Sequence, residues 1–234
     1  MAQFWCDFSQ YPLNAKLDGG AYDWTVMSGA ADYTFEAREN ALAPSGVGLY
    51  VHRGGYAGPT LWRWNGVPNA ANVEVFIKWY TATAEADGGR VAPGSPAARL
   101  TPAGDGYWGG TNSAGGTANT WQEMRRLSGN TLISQGGLFT MQGNRVRNHL
   151  FRTNGSSLAL TAWWDDEAKP ASPTLSATHA GVSAAGGVGF RRQESGGYAM
   201  WILGIGVGTD GDPAPTAPIG PAERQRSRLI LTPW

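Results

Sequence analysis

Polar and apolar side chains alternate with a period of two along much of this chain. Tyr33, Phe35 and Ala37 interleave with Thr34, Glu36 and Arg38, and Val47, Leu49 and Val51 with Gly48, Tyr50 and His52. The longest run sets Val73, Val75, Ile77 and Trp79 against Glu74, Phe76, Lys78 and Tyr80. A later one sets Leu158, Leu160, Ala162 and Trp164 against Ala159, Thr161 and Trp163. Successive residues of a strand point to opposite faces, so these runs predict strands half-buried in antiparallel sheets. Turn residues separate them: Gly54-Gly55, Asp87-Gly88-Gly89, Asn154-Gly155 and Gly196-Gly197. Asn154-Gly155 predicts a type I′ hairpin, whose two central residues need positive φ.

Helical signals are confined to Thr120-Trp-Gln-Glu123, which has the form of a capping box ahead of Met124 to Leu127. Ser128-Gly129-Asn130 would stop that helix within two turns, and the same residues also fit a strand. Residues 87–120, with Gly, Pro, Ser, Thr and Asn around Tyr107-Trp108, predict a long loop or hairpin excursion. From Thr209 onward, closely spaced prolines fix φ and keep the backbone extended. Arg224, Arg226 and Arg228 follow, then an apolar end carrying Leu229, Ile230, Leu231 and Trp234. The predicted organisation is a sandwich domain over residues 1–208 and a Pro-rich extended C-terminal arm over residues 209–234.

At 234 residues and 41% hydrophobic, the chain can bury the core of one large all-β domain. Lys+Arg and Asp+Glu balance at 18 each, which speaks against nucleic acid, because phosphate binding needs a basic excess. No apolar run approaches the roughly 18 residues of a membrane span, so no membrane partner is expected. Cys6 is the single cysteine and can close no intrachain disulfide. The first residues lack the basic and apolar regions of a signal peptide, which predicts that the chain does not take that route out of the cell.

The order of these features resembles the concanavalin A-like lectin/glucanase superfamily, the laminin-G-like jelly roll, in the versions found in bacteriophage virion proteins. Asp7-Phe8-Ser9 precedes Tyr22-Asp-Trp-Thr25, and Val73-Glu-Val-Phe-Ile77 resembles the family's middle strand. Trp163-Trp-Asp-Asp-Glu-Ala-Lys-Pro170, Gly186-Gly-Val-Gly-Phe190 and the closing Met200-Trp-Ile-Leu-Gly-Ile-Gly-Val207 are the diagnostic late block. Lys169 departs from the pattern, where an acidic residue is usual. The resemblance implies an all-β, two-sheet antiparallel jelly-roll sandwich, a fold used for sugar binding, glycoside hydrolysis or protein contact.

Glycoside hydrolysis needs two carboxylates about 5 Å apart for retention or about 6.5–9.5 Å for inversion. The superfamily's glucanases carry a Glu-x-Asp-x-Glu strand, which this chain lacks. The strand around Val73 offers only Glu74, and the consecutive Asp165, Asp166 and Glu167 read as a turn. His52, His149 and His179 have no metal-ligand spacing, so no metal or other cofactor is expected. Asp210 and Asp212 carry oxygens suitable for calcium but no full ligand loop, and calcium there stays an open alternative.

Eleven tryptophans leave aromatic platforms as the remaining chemistry, since sugar C–H groups pack on indole faces. The candidates are Trp62, Trp64, Tyr107, Trp108 and Trp163. Core packing is the first reading for Trp62, Trp64 and Trp163, and surface contact competes with it for Tyr107-Trp108.

The expected function is that of a non-enzymatic phage virion component, in the tail, tail tip, fibre or capsid exterior. It would assemble in the host cytoplasm with other virion proteins and with itself, as a homo-oligomer of trimeric type. Arg224, Arg226, Arg228, Leu229, Ile230, Leu231 and Trp234 would mediate assembly, and a host-surface glycan could be bound. The alternatives are a carbohydrate-binding lectin or adhesin and an atypical glycoside hydrolase.

Overall fold

In a computed structural model the alternating runs become strands of two antiparallel sheets. The structure describes residues 2–18, 20–29, 33–52, 59–81, 94–113, 119–140, 142–192 and 199–219. In chain order the strands are β1 (Ala2–Cys6), β2 (Trp24–Ser28), β3 (Thr34–Glu39), β4 (Val47–His52) and β5 (Thr60–Trp64). Next come β6 (Val73–Thr81), β7 (Gly94–Leu100), β8 (Tyr107–Ser113), β9 (Asn119–Arg126) and β10 (Thr131–Thr140). The last are β11 (Arg147–Asn154), β12 (Ser157–Trp164), β13 (Leu175–Thr178), β14 (Gly187–Arg192) and β15 (Met200–Thr209). The first sheet runs β13-β12-β11-β6-β15-β4-β3, with β1 also paired to β15. The second runs β10-β9-β8-β7-β14-β5-β2.

The apolar half of each predicted strand faces the gap between the sheets. Val75, Ile77, Trp79, Leu158 and Leu160 from the first sheet meet Trp24, Trp62, Trp64, Val188 and Phe190 from the second. An aromatic stack ties the two: the Trp62 ring lies 4.9 Å from Phe35 and 5.0 Å from Phe190. Such offset contacts add about 0.5–1.5 kcal/mol each beyond the area they bury. Trp164 packs inward with Leu158 and Leu160, while Trp163 points out of the first sheet against Phe76 and Ala214.

The structure bears on four sequence expectations. The segment 119–126 is strand β9 and not a helix, because its pairing to both β8 and β10 outweighs a weak cap signal. Of the loop or hairpin excursion expected over 87–120, the described residues form a hairpin, β7 paired antiparallel to β8. Strand β7 escaped notice because Gly94-Ser-Pro-Ala-Ala-Arg-Leu100 is buried on both faces and so does not alternate. Its Pro96 pairs with Phe190 on β14 but lies beyond the β8 pairing, which starts at Ala97. The 154–157 hairpin exists, but Asn154 pairs with Ser157, so Gly155-Ser156 is the turn. Only Gly155 has positive φ there, at 55°, the pattern of a type II′ turn. The turns expected at Gly54-Gly55, Asp87-Gly88-Gly89 and Gly196-Gly197 lie outside the described residues.

The fourth is the boundary near residue 208. Beyond β15 the chain doubles back over the outer face of its own first sheet. Gln3 Nε2 donates to the Pro213 carbonyl at 2.8 Å, and Glu74 Oε1 accepts from the Ala214 N–H at 3.0 Å. A Cβ on Gly206 or Gly208 would collide with the carbonyls of Pro215 and Asp212, so glycine on β15 is what admits the segment. Ala214 and Ile219 are buried, which extends the packed domain to Ile219 at least. The assembly candidates from Arg224 to Trp234 lie outside the described residues.

Candidate functional site

The outward face of the second sheet carries a polar cluster that period-two alternation builds from three adjacent strands. On β9, Trp121, Glu123 and Arg125 alternate with Met124, whose side chain enters the core. Register places Asn112 of β8 beside Trp121, Gly110 beside Glu123 and Trp108 beside Arg125. On the other flank Gln135 of β10 lies beside Glu123.

Glu123 is the centre of this cluster. Its carboxylate accepts from Arg125 Nε at 2.6 Å, Gln135 Nε2 at 2.7 Å and Asn112 Nδ2 at 2.9 Å. The side chain is 1% exposed, whereas Arg125 is 18% exposed and Gln135 is open to solvent. Arg125 is held a second time, through Nη1 to the Asn130 carbonyl at 2.9 Å. A carboxylate with three donors tolerates burial because each lost water is replaced. The partners in turn lose their freedom to rotate. Trp121, partly exposed on the same face, supplies an indole next to this fixed polar set.

Toward the middle of the face the side chains shorten. Ser95 and Ala97 of β7 and Gly110 of β8 leave little height above the backbone, and Ser95 packs where a Gly110 side chain would be. Over these small residues Arg191 of β14 reaches Trp108, its guanidinium 4.7 Å from the ring centre.

None of the aromatic candidates from the sequence presents a ring to solvent. Trp62 and Trp64 are core residues, 0% and 4% exposed, with Trp62 Nε1 donating to Asp18 Oδ2 at 3.2 Å. Tyr107 points between the sheets, where its hydroxyl accepts from the Val182 N–H at 2.7 Å. Trp108 faces outward but is fully covered among Leu61, Ala97 and Leu100. Trp163 is buried on the outer face of the first sheet. Strand pairing places these rings where side chains pack over them, so the platform reading has no exposed ring to rest on. Trp121, Glu123, Arg125, Asn112 and Gln135 were not singled out from the sequence. The signal was present as Trp-x-Glu-x-Arg, but the capping-box pattern occupied the same letters.

A second feature is a cleft of about 130 Å³ at the end of the first sheet. Glu74, Arg152, Asn154, Asp210 and Asp212 line it. Among the described residues no three His, Cys, Asp or Glu side chains converge to hold a metal ion. Asp165 pairs with Lys78 at 2.7 Å, while Asp166 and Glu167 pair with Arg145 at 2.7 and 2.8 Å. Those acids sit in the turn that follows β12.

No family model matches the chain, and no curated protein matches it. Solved structures do resemble it. The cellulose-induced protein Cip1 aligns at 13% identity and a TM-score of 0.55, over 88% of this chain and 97% of that one. The calcium-bound exoplasmic/lumenal domain of VIP36 aligns at 10% identity and 0.53, over 89% and 96%. The carbohydrate binding module CBM66 from Bacillus subtilis aligns at 13% and 0.50, over 76% and 91%. Identities this low carry the fold and leave the chemistry to the residues. With two antiparallel sheets in this order and these structural neighbours, the chain folds as a concanavalin A-like jelly roll.

Proposed function

We propose that the protein is a carbohydrate-binding jelly-roll module that binds without turnover, using the outward face of β8, β9 and β10. The observation that carries this reading is the fixed polar set around Glu123 beside the Trp121 indole. Sugar recognition needs this combination. An indole packs on C–H groups, and rigid amide and guanidinium groups meet hydroxyls without an ordering cost at binding. Among the described residues the partners of Glu123 are two amides and a guanidinium, groups that offer hydrogen bonds to hydroxyls. The fold of CBM66 and of VIP36, which has also been solved bound to Man3GlcNAc, supports the same reading by analogy.

Glycan-array screening followed by calorimetry tests it. Wild-type protein should bind at least one oligosaccharide, and Trp121→Ala should lose most of that affinity while melting within a few degrees of wild type. Binding untouched by Trp121→Ala, or no glycan bound at all, would sink the reading.

A finer placement, as a virion module of a phage tail or capsid exterior that meets a host-surface glycan, rests on the sequence resemblance and on the C-terminal residues. Co-purification with assembled particles checks that placement separately.

A further inference from the structure

The hydrogen bonds of Glu123 determine what the cluster offers to a ligand. Gln135 turns its amide N–H inward to the carboxylate, so Oε1, an acceptor, is the end left on the exposed side. Arg125 spends Nε on Glu123 and Nη1 on Asn130, which leaves the Nη2 edge as its outward donor. The guanidinium charge is met at 2.6 Å by a carboxylate that lies beneath it and is almost fully covered. Seen from solvent the cluster is polar, yet its two formal charges cancel within one contact.

We propose that this site takes uncharged saccharides and that Glu123 imposes the preference, a proposal that rests on the glycan-binding reading above. Hydroxyl groups suit it, because a hydroxyl donates to the Gln135 oxygen and accepts from Arg125 Nη2 at once. A carboxylate or sulfate on the sugar gains little. Its attraction to Arg125 is opposed by Glu123 only one bond further away, and an anion cannot donate to the Gln135 oxygen. Glu123 acts through its neighbours and is a positioning residue, buried below the ligand and touching none of it.

Substituting Glu123→Gln removes the compensating charge and keeps the shape. One end of the new amide is a donor; Arg125 cannot accept it at the Oε2 position, so it takes the Oε1 position, Gln135 must flip to answer it, and Arg125 stands uncompensated. Affinity electrophoresis or calorimetry in low salt would compare cellohexaose, mannan and xylan with polygalacturonate, alginate and heparin. Wild type should bind within the uncharged group and show little dependence on salt. E123Q should weaken for that group and gain about tenfold for the anionic one, a gain that added salt removes. The double variant E123Q/R125Q, uncharged again, should lose the anionic gain. That response separates charge control from mere damage, because a structural role would not return with the second substitution. Preferential wild-type binding to polygalacturonate or heparin would overturn the proposal, even if E123Q proved too unstable to assay. So would a folded E123Q whose preference matches wild type. Wild type binding neither group would instead overturn the glycan-binding reading on which the proposal stands.

Discussion

His149 lies between the sheets with no exposed surface. Its ring contacts the Gly94 carbonyl at 3.0 Å through Nδ1 and the Thr111 hydroxyl at 3.0 Å through Nε2. A neutral ring with its proton on Nδ1 donates to the carbonyl and accepts from the hydroxyl, satisfying both contacts. The Trp79 indole N–H, 3.3 Å from the same Nδ1, then meets a protonated nitrogen and makes no hydrogen bond to it. Burial, then the nearby Arg147 charge, push the folded-state pKa well below 6.5. The unfolded chain takes up a proton as pH falls through about 6.5 and the folded one does not, so stability is full above that pH and declines below it. Chemical denaturation at pH 7.5, 6 and 5 should show a loss approaching about 1.4 kcal/mol per pH unit from this group. A His149→Gln variant should lose stability at pH 7.5 but lack this part of the slope. At this scale the sequence was legible only as a short menu. Period two assigns a face to Trp62 or Trp108, but whether that face is open depends on strands and loops distant in the chain. Trp108 shows the limit, since it points outward and is still covered. Glu123 shows the converse: its three donors come from β8, β9 and β10, and no spacing rule links Asn112 to Gln135 before the strands pair.

At the scale of elements, the segment after β15 behaves as part of the sandwich up to Ile219, and this changes what truncation should do. A truncation after Ile219 keeps Ala214 and Pro215 on the sheet and serves as the reference. Removing residues 210–234 uncovers Phe76, Trp163 and the glycine face of β15, and should cost on the order of 2–3 kcal/mol with increased light scattering from aggregates. Equal melting of the two truncations would show that Ala214 and Pro215 contribute nothing to the fold. Elements whose polar and apolar residues alternate were readable in advance, among them β3, β4, β6 and β12. Strand β7 was not, because a strand covered on both sides and built from small residues carries no alternation. The prolines of 209–219 were also legible as an end to the regular sheet, after which the chain turns at Asp210-Gly211. Its destination was not, since only the pairing of β15 shows that Gly206 and Gly208 face the returning chain.

For the whole molecule, two sheets and one aromatic-rich core follow from patterning summed over the chain, which is why fold class was the most legible property. Trp164 sits in that core with Leu158 and Leu160, so Trp164→Ala should destabilise by about 3–5 kcal/mol in urea titration. An effect below about 1 kcal/mol would mean that the β12 facing is wrong by one residue. The sheet order also joins the start of the described chain to its far end. Ala2 pairs with Thr209 and Cys6 with Ile205, so β1 is held by a strand some two hundred residues away in sequence. The arrangement has a mechanical consequence. A pull applied at residue 2 and at residue 209 enters this ladder at one end, and the antiparallel rungs then carry the load singly and in turn. The sandwich would yield there at low force, peeling β1 away like a zip fastener and exposing Trp5 and the edge of β15 while the paired sheets behind it stay closed.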